Sequence, residues 1–327
     1  MRARNELPVR TRVSRQCGRG GVRTLPRRAR LVGILGFVLC AATATAPLHA
    51  QANPYNDSLL VTVRALAHAV PGELPTAVGY LSVVDDSSPE SDAVADAPKT
   101  RILEVTPAFQ VRYRAGWIMV DAAESHKAAG SDGTYHQDNY DQIQTALRHA
   151  RLIVATHEHG DHVDGVLVSQ YLSEIAPRTM LNAAQVHTLL AKPAGDPEGL
   201  DSARARRYLV VDYGLVLPIA PGVVLIRAPG HTPGSQMVYV RLASGRELVL
   251  VGDVVWHHAG IDMQRQKPDT VSRAMHEDRT PIGQEIAWLK NIAEPAGIAA
   301  AVSHDGTALQ RLVRRGFLTD RLNLSAP

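Results

Sequence analysis

The chain has 327 residues, 45% of them hydrophobic, enough to bury the core of one large domain or two ordinary ones. Its formal charge of +3 averages two unlike parts, since residues 1–30 hold ten arginines against one acid, Glu6, while everything from Gln51 onward holds 25 basic and 31 acidic residues. An acidic body without clustered Lys and Arg excludes nucleic acid as the expected partner.

The basic prelude is followed by an uncharged apolar run over residues 31–46 and by Ala50-Gln51-Ala52, small residues at the two positions ahead of a cut before Asn53. Residues 1–52 therefore read as a secretory signal peptide, with Arg27-Arg28 permitting the twin-arginine variant, and a periplasmic or secreted location is expected. The run is short for a spanning helix, so no stable membrane anchor is expected. Both cysteines, Cys17 and Cys40, lie in this leader. The rest of the chain accordingly has no disulfide and no thiolate ligand.

Residues 53–100 read as an N-terminal extension packed on or near the body, with helical periodicity over 58–69, a strand over 78–84 and an acidic, Ser-rich loop over 85–92. The body, 101–327, alternates short apolar runs with amphipathic stretches. Strands are expected over 102–105, 117–120, 152–155, 223–226, 237–240, 248–251 and 298–302, and helices over 140–149, 163–175, 183–191, 282–293 and 307–314. This is an α/β pattern with layered architecture.

The polar clusters that carry chemistry each follow an apolar strand: Asp121 after WIMV, His157 after LIVAT, His231 after VVLIRAPG, Asp253 after LVLVG and His304 after AAAVS. Residues at strand ends converge on one rim of a sheet, where α/β proteins place their sites. Within six residues His157, His159, Asp161 and His162 supply three imidazoles and a carboxylate, a donor set suited to zinc or a similar borderline metal. On a loop leaving a strand, His157 and His159 can face one point while Asp161 and His162 turn toward a second, so two metals can share the run. His231 sits in the Gly- and Pro-locked turn Pro229-Gly230-His231-Thr232-Pro233-Gly234, Asp253 follows Gly252, and His304 lies in Ser303-His304-Asp305-Gly306.

This run, the later His, the Asp and the final His together resemble the metallo-β-lactamase superfamily of hydrolases over roughly residues 101–306. The resemblance implies an αββα sandwich, with His157, His159 and His231 holding one metal, Asp161, His162 and His304 a second, and Asp253 bridging both. Asp121 matches an early strand-end aspartate with a supporting role. The ions implied are two divalent metals, zinc first and iron or manganese as alternatives. Two such ions about 3.5–4 Å apart can share a water, lower its pKa and hold it as hydroxide against an electrophilic carbon or phosphorus. Asp161 is the ligand expected to orient that hydroxide and carry its proton.

Within that superfamily, the absence of cysteine after residue 52 excludes the branches that use a thiolate, and Asp253 argues against the all-histidine lactamases. A flavodiiron oxidoreductase would have a carboxylate in place of His159. Glyoxalase II usually carries a further helical domain, whereas 23 residues follow His304. Similarity to acyl-homoserine-lactone lactonases, through PGHTPG and Ser303-His304-Asp305, makes a small ester-like substrate, a lactone, the first expectation. A β-lactam hydrolase, a thioesterase and a non-catalytic zinc-binding protein are the alternatives. Where the lactonases place a tyrosine soon after the bridging aspartate, this chain has Val254, Val255, Trp256, His257 and His258. Trp256, His257 and His258 are candidates for the substrate pocket, with His126, Tyr135 and His136 weaker ones. His187 and His276 fall in helical stretches and read as structural. Asp164 and Ser235 replace a glycine and a histidine common in the family. The oligomeric state is open.

Overall fold

In the computed structural model residues 53–130, 133–193, 196 and 199–325 are described, and the leader read over 1–52 lies outside them. Among the described residues the strands are β1 (Ala77–Pro89), β2 (Arg101–Arg112), β3 (Trp117–Val120), β4 (Thr134–Tyr135), β5 (Leu152–Val154), β6 (Thr179–Leu181), β7 (Leu209–Val210), β8 (Val216–Ala220), β9 (Val223–Arg227), β10 (Gln236–Arg241), β11 (Glu247–Leu250) and β12 (Ala299–Ala301). They form a seven-stranded sheet ordered β4-β1-β2-β3-β5-β6-β7 and a five-stranded sheet ordered β12-β11-β10-β9-β8. Antiparallel pairs dominate, but β3, β5, β6 and β7 run parallel, as do β11 and β12. Parallel neighbours need a crossover, and the connections around these strands carry most of the helices.

The two sheets meet face to face, because strands such as β3 and β9 are apolar at almost every position and bury both faces. Val78, Phe109, Val120 and Val154 of the first sheet pack with Leu225, Val238, Leu250 and Ala301 of the second. On the outer face of the first sheet, Ile143 and Leu147 of helix Gln137–His149 and Val163 and Val166 of helix Gly160–Leu167 cover Met119 and Ile153. On the outer face of the second, Leu59 and Val63 of helix Asp57–Leu66 and Ile282, Ile286 and Leu289 of helix Arg279–Ala296 cover Val224, Ile226, Met237 and Tyr239. The layers are helix, sheet, sheet, helix, the expected αββα sandwich. No helix among the described residues is long and apolar enough to cross a membrane.

Residues 53–100, set apart in the sequence as an extension, supply a helix to the outer layer and β1 to the first sheet. β1 pairs with β2 from Ala77↔Arg112 to Pro89↔Arg101, with a register shift between Ser82 and Asp85. The stretch read as a loop over 85–92 is thus largely strand. Its turn-like composition yields to pairing, since β2 is twelve residues long and offers hydrogen bonds along its whole edge. The helix expected over 163–175 instead begins at Gly160, ends at Leu167 and resumes over Leu172–Ile175. Ser169 breaks it: its hydroxyl donates to Gln144 Oε1 at 2.6 Å and accepts from the Tyr171 amide at 3.1 Å, replacing helical bonds.

Candidate metal centre

β3 and β5 run parallel in one sheet, and in the other β9 and β11 are both antiparallel to β10 while β12 runs with β11. The C-terminal ends of these five strands therefore deliver Asp121, the 157–162 run, His231, Asp253 and His304 to one rim. There the ligand atoms gather into two groups, His157, His159 and His231 in one and Asp161, His162, Asp253 and His304 in the other, each spanning no more than 4.8 Å.

In the first group His159 Nδ1 lies 3.1 Å from His157 Nε2 and 3.0 Å from His231 Nε2. In the second, His162 Nε2 is 3.3 Å from His304 Nε2, and Asp161 Oδ2 is 3.4 Å from each. Asp253 stands between them. Its Oδ1 is 3.3 Å from His162 Nε2 and 3.2 Å from His304 Nε2, and its Oδ2 is 3.5 Å from His231 Nε2 and 3.9 Å from His157 Nε2.

Three imidazoles with their inner nitrogens converging, and a buried carboxylate oxygen, Asp253 Oδ1, with no hydrogen-bond partner, are the donor set that cations complete. Three of the outer ring nitrogens are occupied. His162 Nδ1 faces Asp121 Oδ2 at 2.9 Å, His231 Nδ1 faces Glu277 Oε1 at 2.7 Å, and His304 Nδ1 faces the Val105 carbonyl at 2.8 Å. Such partners fix the tautomer that leaves the inner nitrogen free.

Protonation divides the groups. Burial, then the neighbouring charge of His162, holds His157 well below the usual imidazole range, and burial holds His231 at about 4, so both present lone pairs. Burial pulls His162 and His304 the same way but is overcome. Asp161, Asp121 and Asp253 keep His162 well above its ordinary value, and Asp253 and Asp161 lift His304 to about 9. Asp161 is brought down to about 2 against its own burial by His162 and His304. The second group in its metal-free state thus holds protons that a divalent ion displaces.

Local structure explains the placement. Asp121 sits in the left-handed region at φ 60°, fully buried, and its two oxygens accept from the Thr156 amide at 2.6 Å and hydroxyl at 3.0 Å. It thereby clamps β3 to the start of the His run. His159 caps helix Gly160–Leu167, whose first turn carries Asp161 and His162. Asp164, where the resemblance would place a glycine, accepts from the Ser125 amide at 2.8 Å, and Ser235 Oγ accepts from the Thr232 amide at 3.0 Å.

Sequence reasoning missed several supports. Buried Glu158 takes the Thr232 hydroxyl at 2.8 Å and the Gly234 amide at 3.3 Å, tying the His run to the His231 turn. Glu277 and Lys267, 2.7 Å apart, lie behind His231 and Asp253. Glu124 lines a cavity of about 230 Å³ with Asp161, His304, Asp86 and Glu104, and burial followed by the Asp161 charge raises it to about 7. Glu158 lies inside the His157–His162 run but was assigned no role there, while Glu124, Lys267 and Glu277 lie outside any motif, and only the folded chain reveals them.

The pocket candidates separate. Trp256 donates its ring N–H to Asp253 Oδ2 at 2.7 Å and lies at the centre. His257 Nε2 faces Asp305 Oδ2 at 3.2 Å, one step removed, and His258 turns to exposed Asp262 at 3.1 Å. Tyr135 donates to the Glu124 carbonyl at 3.0 Å and stacks with His126, while His136 pairs with Asp85 at 3.0 Å. His187 lies exposed on helix Ala183–Ala191. His276 is not helical: it follows helix Asp269–Ala274 at φ 57° and borders a second cavity beside His231.

No protein-family model and no curated protein matches the chain. Solved structures do. One is an N-acyl homoserine lactone hydrolase with the product N-hexanoyl-L-homoserine bound at its catalytic metal centre, at 14% identity and TM-score 0.55 over 73% of this chain and 96% of the other. Another is AidC, a dizinc quorum-quenching lactonase, at 12% identity and TM-score 0.51 over 71% and 90%. A third is a probable metal-dependent hydrolase from Staphylococcus aureus, at 16% identity and TM-score 0.53 over 72% and 91%. Identities this low carry the architecture alone, and together with the two sheets and their flanking helices they show that the chain has the αββα fold of the metallo-β-lactamase superfamily.

Proposed function

We propose that this protein is a hydrolase that holds two divalent ions, zinc in the first instance, and opens a small neutral lactone. The observation that carries the reading is Asp253, buried between the two donor groups with one carboxylate oxygen toward each. His157, His159 and His231 would hold one ion, Asp161, His162 and His304 the other, and Asp253 both. Bound there, the ions supply Lewis acidity toward the substrate carbonyl and a water of lowered pKa.

The chain's own groups account for binding and proton transfer. Water adds across the ester bond, so the acyl carbon gains the hydroxyl and the ring oxygen leaves with a proton. Asp161, ionised and about a third exposed, is the group where that proton can rest between the two events. Trp256 follows Asp253 by three residues, and its N–H is engaged with Asp253 Oδ2, so it positions the carboxylate. The cavity beside Asp161 and His304 is lined by Asp86 and Glu104, joined by Glu124 as it ionises above about 7, which favours neutral substrates over β-lactams and phosphodiesters, whose negative charge ionised carboxylates repel. The lactonase likeness of the solved structures supports the same choice.

The test is a substrate panel on zinc-loaded protein: neutral acyl-homoserine lactones of varied chain length, thioesters, β-lactams and phosphodiesters. Lactones should show the highest kcat/KM, and Asp253→Ala should lose zinc and turnover together. A dizinc protein inert on the whole panel sinks the hydrolase reading and leaves zinc binding as the function, and an Asp253→Ala variant that keeps both ions refutes the bridging role.

A further inference from the structure

Lys267 has a side chain only 1% exposed, and an ammonium so deeply buried persists only when its charge and donors are satisfied. Its Nζ donates to Glu277 Oε1 at 2.7 Å and to the Asp253 carbonyl at 2.8 Å, and it lies 4.8 Å from the centroid of the Trp256 ring. Each contact leads to a metal-facing group. Glu277, whose side chain is buried, takes His231 Nδ1 at 2.7 Å through the same oxygen, and Trp256 holds Asp253 Oδ2. One charge pair outside every recognisable motif therefore reaches both residues that face the first group from the second sheet.

We propose that Lys267 and Glu277 are positioning residues that preset the first ion site and leave the second to other supports, an inference that rests on the two-ion reading above. Glu277 fixes the His231 ring with Nε2 toward His159. Lys267 joins that ring support to the main chain of Asp253, so the 3.5 Å gap between His231 Nε2 and Asp253 Oδ2 is set by residues belonging to neither loop. The second site has its own supports, Asp121 behind His162 and the Val105 carbonyl behind His304. The second site shares Asp253 through Oδ1, but the pair reaches that residue only by its carbonyl and, through Trp256, by Oδ2, so loss of the pair should act chiefly on the first ion.

The test compares wild-type full-length chain with Glu277→Gln, which keeps the shape, and with the double variant Lys267→Met/Glu277→Gln, which removes both charges and leaves no orphaned ion. Zinc-stripped proteins are titrated with zinc against a chromophoric chelator, and the metal-free melting temperature is recorded for each. The expected result is one zinc bound within a few-fold of wild type and the other about 10- to 100-fold more weakly, with metal-free melting of the double variant near that of wild type. Unchanged affinity for both ions overturns the proposal and makes the pair structural. Equal weakening of both ions overturns it as well, because the pair would then support the whole rim. Wild-type chain that binds no zinc overturns the two-ion reading itself, and the inference with it.

Discussion

Single residues decide whether the rim can hold ions. Asp121 contributes no inner donor, yet it orients His162 and clamps Thr156, so Asp121→Asn should weaken zinc at the second group by about 10- to 100-fold, read by chelator competition. Proton competition sets a pH dependence of known sign. His304 stands at about 9 in the metal-free protein, so an ion must displace its proton at neutral pH, and affinity at the second group should rise as pH climbs toward 9. Isothermal titration in buffers of different ionisation enthalpy would count the released protons, and zinc uptake without proton release would contradict the assignment. The donors were legible in the sequence because their spacing along one loop and their placement after apolar strands survive without coordinates. Glu277 and Lys267 were not, since a carboxylate 46 residues from its histidine partner has no local signature.

At the level of elements, the close approach of helix Gly160–Leu167 to the loop after β3 depends on Gly165. A Cβ there would lie 2.1 Å from the Ala122 carbonyl oxygen, so Gly165→Ala should cost about 1–3 kcal/mol, measured by urea unfolding, and push Asp161 and His162 off their positions. Helix Arg279–Ala296 contributes Glu285, fully buried, which accepts from the Tyr55 hydroxyl at 3.2 Å and the Gly230 amide at 3.3 Å. Burial raises it from 4.5 to about 7. Between those values the native state keeps a proton that the unfolded chain has released, so stability falls as pH rises through that window. Glu285→Gln lacks this loss. Its melting temperature should gain on wild type from pH 4.5 to 7 and hold the gain above, and a gap independent of pH would show that Glu285 does not titrate there. Most strands and long helices could be read from apolar periodicity. Short strands such as β4 and β7, two residues each, could not, because pairing partners rather than composition create them.

For the molecule as a whole, ions that bind only the folded state add stability by mass action, about 2.7 kcal/mol per ion at a hundredfold excess over Kd. Chelation should therefore lower Tm by several degrees, with recovery on adding zinc, and a Tm indifferent to chelator and metal alike would exclude occupied sites. The order of the donors along the chain has a further consequence. The first group is complete once His231 has joined His157 and His159, but the second waits for His304, 142 residues beyond His162 and just past β12, the last strand. A contact of that span closes a very long loop. No fragment ending before His304 can assemble the second group, so an ion seated there marks a chain that has been made and folded through to its final strand.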